Sequence, residues 1–281
     1  IAWKLNEEMA QKGAEMLLPI FEARKGHGGR ISIQTNTKYY RNWKKLYEQT
    51  MHFQTLAPNI QIKMPVTAAG VKAIEEATYQ GVSINATVSF TVPQALAVGA
   101  AVERGLKRRE DEGKDTSTMY PVCTIMVGRI DDWLKEVVKR DGIDIDTALL
   151  DWSGVAIMKR AVKIYQERSY RTRLLSAAYR NDYQWTELMG GDIIMTMPHQ
   201  WIKKFNESET KVEPRMDVPV DPVILETLKS KVPEFNKAYE PEGMTIEEFD
   251  SFGAVNKTLK QFLEGYDKLV AMIREYMVII K

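Results

Sequence analysis

The chain has little of what staples or metallates small folds. Its 281 residues include one cysteine, Cys123, and three histidines. A single cysteine excludes an internal disulfide framework and fits a reducing compartment. His27, His52 and His199 are scattered without metal-ligand spacing, so no metal site is expected. An excess of one charge is also missing. Lys plus Arg number 39 and Asp plus Glu 38, a net charge of +1. That balance argues against a general nucleic-acid binder and leaves room for a local anion site. No apolar run approaches the ~20 residues of a membrane span. The first residues are amphipathic and rich in acids, unlike a secretory leader. The expectation is a cytoplasmic protein with no membrane partner. No G-x-S-x-G elbow, glycine-rich phosphate loop, internal repeat or low-complexity segment stands out. The chain opens on Ile1 rather than Met, which leaves open that it is a fragment.

What is present is an alternation of periods. An opening helical pattern ends at Gly26, Gly28 and Gly29. Six strand-like segments follow: RISIQTN (30–36), NIQIKMP (59–65), VSINATVSF (82–90), VCTIMVG (122–128), RLLSAAYR (173–180) and DIIMTMP (192–198). Helical patterns separate almost every pair, among them 40–57, 71–80, 93–113 and 131–168 with an insertion through Trp152. A short helix is expected over 183–191. Residues 200–281 read as loops and helices. Such alternation implies βα units and a parallel sheet. In an open doubly wound sheet, buried strands read as nearly continuous apolar runs. These strands instead carry a second face that is polar and mostly uncharged: Ser83, Asn85, Thr87 and Ser89 oppose Val82, Ile84, Ala86 and Val88. Polar inward faces suit the mouth of a (β/α)₈ barrel. An antiparallel sheet with one wet face is the plainer alternative, which the intervening helices disfavour.

Lys63 stands near the C-terminal end of its strand, on the side opposite Ile60, Ile62 and Met64. In a barrel that side is the interior and that end the catalytic mouth. Desolvation lowers a lysine pKa, and a lysine so tuned attacks a carbonyl to form a Schiff base. The other reading is a strand-edge lysine that snorkels to water. Asn85 and Thr87 share one face of the next strand, where an amide and a hydroxyl either bind sugar hydroxyls or satisfy one another in a polar layer. Arg129 and Arg180 each follow a strand, in positions that suit bidentate phosphate binding or, more plainly, surface ion pairs.

These segments, in this order, resemble the transaldolase family. IKMPVTAAGVKAIEEATYQGVSINATVSFTVPQALA is similar to its Schiff-base strand, following helix and Asn-x-Thr strand. MVGRIDDWL, SAAYRN, GGDIIMTMP and FDSFGAVNKTLKQF resemble later pieces, so that the likeness runs from about Ile31 to Leu263. It implies a (β/α)₈ barrel of the transaldolase type, 1–281 forming one incomplete domain with 200–281 packed on it. It implies transfer of a dihydroxyacetone unit from sedoheptulose 7-phosphate or fructose 6-phosphate to an aldose phosphate, a step of the pentose phosphate pathway, with no metal or organic cofactor. By the same likeness Lys63 is the Schiff-base lysine. Asn85 and Thr87 contact the donor unit and hold a catalytic water. Thr124 stands where a serine is common, and Arg129 and Arg180 bind phosphate.

Three departures accompany the likeness. Gln34 occupies a position where many transaldolases carry a glutamate acting through the catalytic water. A glutamine there looks more like the fructose-6-phosphate aldolases, the alternative activity; it orients a water but cannot take its proton. Ala178 stands where a phosphate-contacting serine is usual. Two family strands, one with an acid/base aspartate and one with a Thr-Asn-Pro turn, have no counterpart before Ile31. The expectation is therefore six strands of eight, with a homo-oligomer or an upstream fragment completing the barrel. A non-catalytic sugar-phosphate-binding barrel is a third reading.

Overall fold

The structure is a computed structural model that describes residues 1–277; positions 278–281, the end of the expected C-terminal segment, lie outside the described residues. Strands and helices alternate along the first two thirds of the chain. Helix α1 (Ala2–Ala23) precedes β1 (Ile31–Gln34). Then follow α2 (Trp43–Phe53), β2 (Ile60–Pro65), α3 (Ala68–Tyr79), β3 (Ile84–Ser89), α4 (Val92–Asp111) and β4 (Val122–Ile125). Next are α5 (Val127–Asp141), α6 (Ser153–Glu167), β5 (Arg173–Ser176), α7 (Tyr183–Thr186), β6 (Ile194–Met195) and α8 (His199–Asn206). The chain continues through α9 (Pro222–Lys231), α10 (Pro233–Tyr239) and α11 (Gly253–Met277).

All five strand pairings are parallel, in the order β1 to β6. The sheet curls into a half-barrel in which β1 and β6 each pair on one side only, among the described residues. Period-two alternation decides the two faces. Ile62, Met64, Ile84, Ala86, Cys123 and Ile125 are fully buried. Met64 shows which way this set points, because the Thr50 hydroxyl of α2 donates to its sulfur (3.4 Å). Gln61, Lys63, Asn85, Thr87 and Thr124 alternate with that set and point inside the curl. Cys123 packs near Tyr165 of α6, and burial pushes its thiol up to about 12, which keeps it protonated.

Several strands end sooner than their residue patterns suggest. The segment expected over 122–128 stops at Ile125; the Met126 N–H reaches the Ser89 carbonyl (2.9 Å) and α5 begins at Val127. Arg129 therefore lies in the first turn of a helix. The segment expected over 173–180 stops at Ser176, and Ala178 is held at φ 65°. The last strand is only Ile194–Met195. The helix expected from Tyr40 begins at Trp43, where the Asn42 side chain accepts from the Lys45 N–H (3.1 Å).

A bulge in β3 corrects one face assignment. Ala86 pairs with Cys123 and Ser89 with Ile125, so three steps on β3 match two on β4. Val88 absorbs the extra residue at φ 55°, a left-handed conformation costly for a β-branched side chain. Ser89 consequently leaves the face of Asn85 and Thr87 and turns toward the Cys123 thiol.

Buried Gln94 of α4 holds the bulge. Its Nε2 donates to the Val66 and Val88 carbonyls (both 3.0 Å), and its Oε1 accepts from the Phe90 N–H (3.0 Å). One amide thus ties the ends of β2 and β3 together.

The C-terminal part covers the carboxyl end of the strands. An Asp250 carboxylate oxygen accepts from the Ala68 N–H at the start of α3 (2.9 Å). Gly253, at the start of α11, sits where any Cβ would run into the Trp133 ring of α5. From there α11 passes β3 and reaches α1, where Tyr266 stacks on Trp3.

Replacing Gln94 by Leu removes a partner from three buried backbone groups. We expect urea unfolding to show a loss of about 1–3 kcal/mol; an unchanged midpoint would remove Gln94 as the clamp.

Candidate active site

Parallel register puts three candidate residues side by side: Gln34 pairs with Lys63, and Lys63 with Asn85. The neighbour on β4 is reached by a side-chain bond, since the Thr124 hydroxyl donates to Asn85 Oδ1 (2.7 Å). Asn85 Nδ2 donates to the Ser32 hydroxyl (3.0 Å). Gln34 Nε2 donates to the Lys63 carbonyl (3.1 Å). The wall is thus a neutral hydrogen-bonding layer with a single ionisable group. Thr87 is fully buried one pleat above Asn85, and its hydroxyl has no partner among the described residues.

Lys63 and Gln34 open on a cavity of about 690 Å³ between α1, β1 and α11, lined also by Ser32, Trp3, Gln261 and Tyr266. Among the described residues no Asp or Glu lines it. Burial pushes the Lys63 ammonium below its ordinary 10.5, and the Arg129 guanidinium adds repulsion in the same direction. The arrangement favours the neutral, nucleophilic amine.

Arg129 and Arg180 meet in a second cavity of about 80 Å³, with Asp132, Lys257, Thr258 and Gln261 on its walls. Gly128 permits this approach: a Cβ there would run into the Ala178 carbonyl and the Arg180 side chain. Buried Gln184 orients the arginine loop, accepting from the Arg180 N–H (2.5 Å) while its amide donates to Asp131 (2.5 Å). Arg180 Nε donates to Asp132 (2.9 Å). Among the described residues the side-chain acceptors of Arg129 are neutral, the Thr258 hydroxyl (3.3 Å) and the Gln261 side chain (2.5 Å). Burial and the neighbouring Arg180 hold its pKa below the usual guanidinium value.

Each candidate from the sequence therefore has a place. Gln34 and Lys63 share the large cavity, Asn85, Thr87 and Thr124 form the wall behind it, and Arg129 and Arg180 line the small one. Gln261 lines both cavities. The sequence pattern does not single out the α11 residues that line these cavities. Thr258, Gln261, Phe262, Gly265, Tyr266 and Leu269 recur at helical spacing, but the stripe mixes polar and apolar types and does not stand out by hydrophobicity.

A half-barrel of parallel strands with a desolvated lysine at the carboxyl end and paired arginines beside it defines a lysine-centred α/β fold. The family described as Transaldolase/Fructose-6-phosphate aldolase matches residues 1–273, and the chain belongs to that family. It is 29% identical over 156 residues to a transaldolase of Thermobifida fusca, covering 55% of this chain and 42% of that protein. It is 30% identical over 159 residues to one of Mycolicibacterium smegmatis, covering 56% and 43%. A transaldolase of an Arthrobacter species is 24% identical over 289 residues, covering 94% of this chain and 72% of its own length. The first two matches span less than half of those relatives.

Replacing Arg129 by Gln removes the repulsion and should raise the Lys63 pKa, read from the pH dependence of Lys63 acetylation by mass spectrometry. An unshifted curve would mean that the arginine's field does not reach the amine. The folded state also binds the Lys63 proton less tightly than the unfolded chain. Stability from this group therefore rises with pH through the window below 10.5. Lys63→Met should raise the thermal midpoint at neutral pH and flatten that rise; a lower midpoint would contradict a desolvated ammonium.

Proposed function

We propose that the chain belongs to a Schiff-base enzyme that moves a dihydroxyacetone unit from a ketose phosphate to an aldose phosphate. One observation carries this reading: Lys63 stands between Gln34 and Asn85 near the carboxyl end of β2 and opens on the large cavity, where burial lowers its pKa. A purely structural lysine in such a place would cost stability without return.

In the proposed reaction, neutral Lys63 Nζ attacks the C2 carbonyl of the ketose. The carbinolamine loses water to give an iminium. The C4 hydroxyl gives its proton to a base as the C3–C4 bond breaks, and the electron pair is held as an enamine on the three-carbon unit. The aldose phosphate leaves. The enamine carbon then attacks the carbonyl of a second aldose phosphate, and water hydrolyses the new iminium to free Lys63. Asn85 and Thr124 hydrogen-bond the hydroxyls of the donor unit, and Thr87, with its unpartnered hydroxyl, contributes the remaining wall. Gln34 orients a water and leaves the proton transfer to another group. Arg129 and Arg180 bind the phosphate.

Among the described residues, the Lys63 cavity offers no carboxylate as the base for the C4 hydroxyl. Imine formation is therefore expected from residues 1–281, with turnover slow. An upstream portion or a second copy supplying an acid is the accompanying proposal. Gln34 favours a second reading, a fructose-6-phosphate aldolase that releases free dihydroxyacetone, since both fates share the enamine.

Borohydride trapping with fructose 6-phosphate, read by mass spectrometry, should label Lys63 in the wild-type chain and leave Lys63→Ala unlabelled. No adduct would overturn the imine and leave a sugar-phosphate-binding barrel. Dihydroxyacetone release that does not respond to erythrose 4-phosphate would replace the transferase by the aldolase.

A further inference from the structure

The small cavity holds a cation that the phosphate reading does not use. Lys257 reaches it from α11, opposite Arg129 and Arg180. We infer that Lys257 is a third cation for the substrate phosphate, and that α11 acts as the wall that closes on it. This rests on the sugar-phosphate reading and adds a residue from a different part of the chain.

Three features support it. First, α5 and α11 meet through competing charges. Asp132 and Glu136 lie one turn apart on α5; Asp132 holds Arg180 and Glu136 holds Lys257. Arg129, three residues before Asp132, is left with the neutral Thr258 and Gln261 side chains. The three cations thus face two carboxylates, and the surplus charge sits on Arg129. Second, both acids are accessible, with side-chain exposures of 39% for Asp132 and 53% for Glu136. Such pairs contribute little and exchange readily for a dianion. Third, the cavity of about 80 Å³ is several times the roughly 10–15 Å³ that one water needs. A phosphate there takes Arg180 from Asp132, Lys257 from Glu136 and Arg129 from α11's neutral acceptors. Gln261, released from Arg129, also lines the Lys63 cavity, so phosphate binding is felt at the amine.

The plainer account is that Lys257–Glu136 is a helix–helix ion pair. The two accounts differ in sign. Inorganic phosphate binding, measured by calorimetry on the 281-residue chain, should weaken about five- to tenfold in Lys257→Gln. It should strengthen in Glu136→Gln, which frees Lys257, and stay near wild type in Lys257→Arg. The adduct yield from fructose 6-phosphate should fall relative to that from unphosphorylated fructose in Lys257→Gln, and not in Lys257→Arg or Glu136→Gln. A structural pair predicts lower thermal midpoints for both Gln variants and unchanged phosphate affinity in each; that outcome overturns the inference. If Arg129→Gln loses phosphate while Lys257→Gln keeps it, the inference fails and the arginine site stands. If the wild-type chain binds no phosphate, the sugar-phosphate reading fails and the inference with it. Should Lys257→Gln not fold, Glu136→Gln decides: affinity equal to wild type overturns the third cation.

Discussion

An ammonium inside a curled sheet, with no carboxylate among the described residues to neutralise it, is the constraint on which the rest of the site depends. Taking a charge out of water is costly unless it is paired, and Lys63 answers by a lowered pKa rather than by a partner. The surroundings are consistent with that choice. Gln34, Asn85 and Thr124 on the neighbouring strands are neutral donors and acceptors, bonded to one another, to the Ser32 hydroxyl or to backbone. The nearby charge with a direct effect is Arg129, and it acts in the same direction as burial.

Register converts this local chemistry into a site. Parallel pairing sets Gln34, Lys63 and Asn85 at one level across three strands. The bulge in β3 then breaks the regular ladder with β4 just beyond that level, with Val88 in a strained conformation and Gln94 bonding the carbonyls around it. Strain at a buried β-branched residue persists only where the surroundings over-determine it, and strained backbone clusters at functional sites. The bulge also lets Ser89 leave the interior, so the space above Thr87 is not filled by another hydroxyl.

Much of this was legible in the amino-acid order. Alternation separated Lys63 from Ile62 and Met64 because strand side chains alternate regardless of what surrounds them. The six strands, their parallel sense and the positions of Asn85, Thr87, Arg129 and Arg180 follow from similar local reasoning. Strand ends were less legible. Ile125 ends β4 because the Met126 carbonyl turns to accept from the Arg129 and Ile130 N–H groups as α5 begins, and no pattern within VCTIMVG records that switch.

The sequence by itself therefore determined the elements, the inward set of side chains and the presence of one lysine among neutral neighbours, since each depends on residues a few positions apart. Tertiary structure alone decided what those side chains face. Gly128 matters because the Ala178 carbonyl and the Arg180 side chain arrive fifty residues later to fill the place of its missing Cβ. Gln94 matters because Val66 and Val88 both end within reach of its amide. The place of α11 rests on Asp250 at α3, Gly253 against Trp133 and Tyr266 on Trp3. Contacts between residues more than a hundred positions apart leave no period in the chain, because their partners are fixed only when the sheet curls and brings them together.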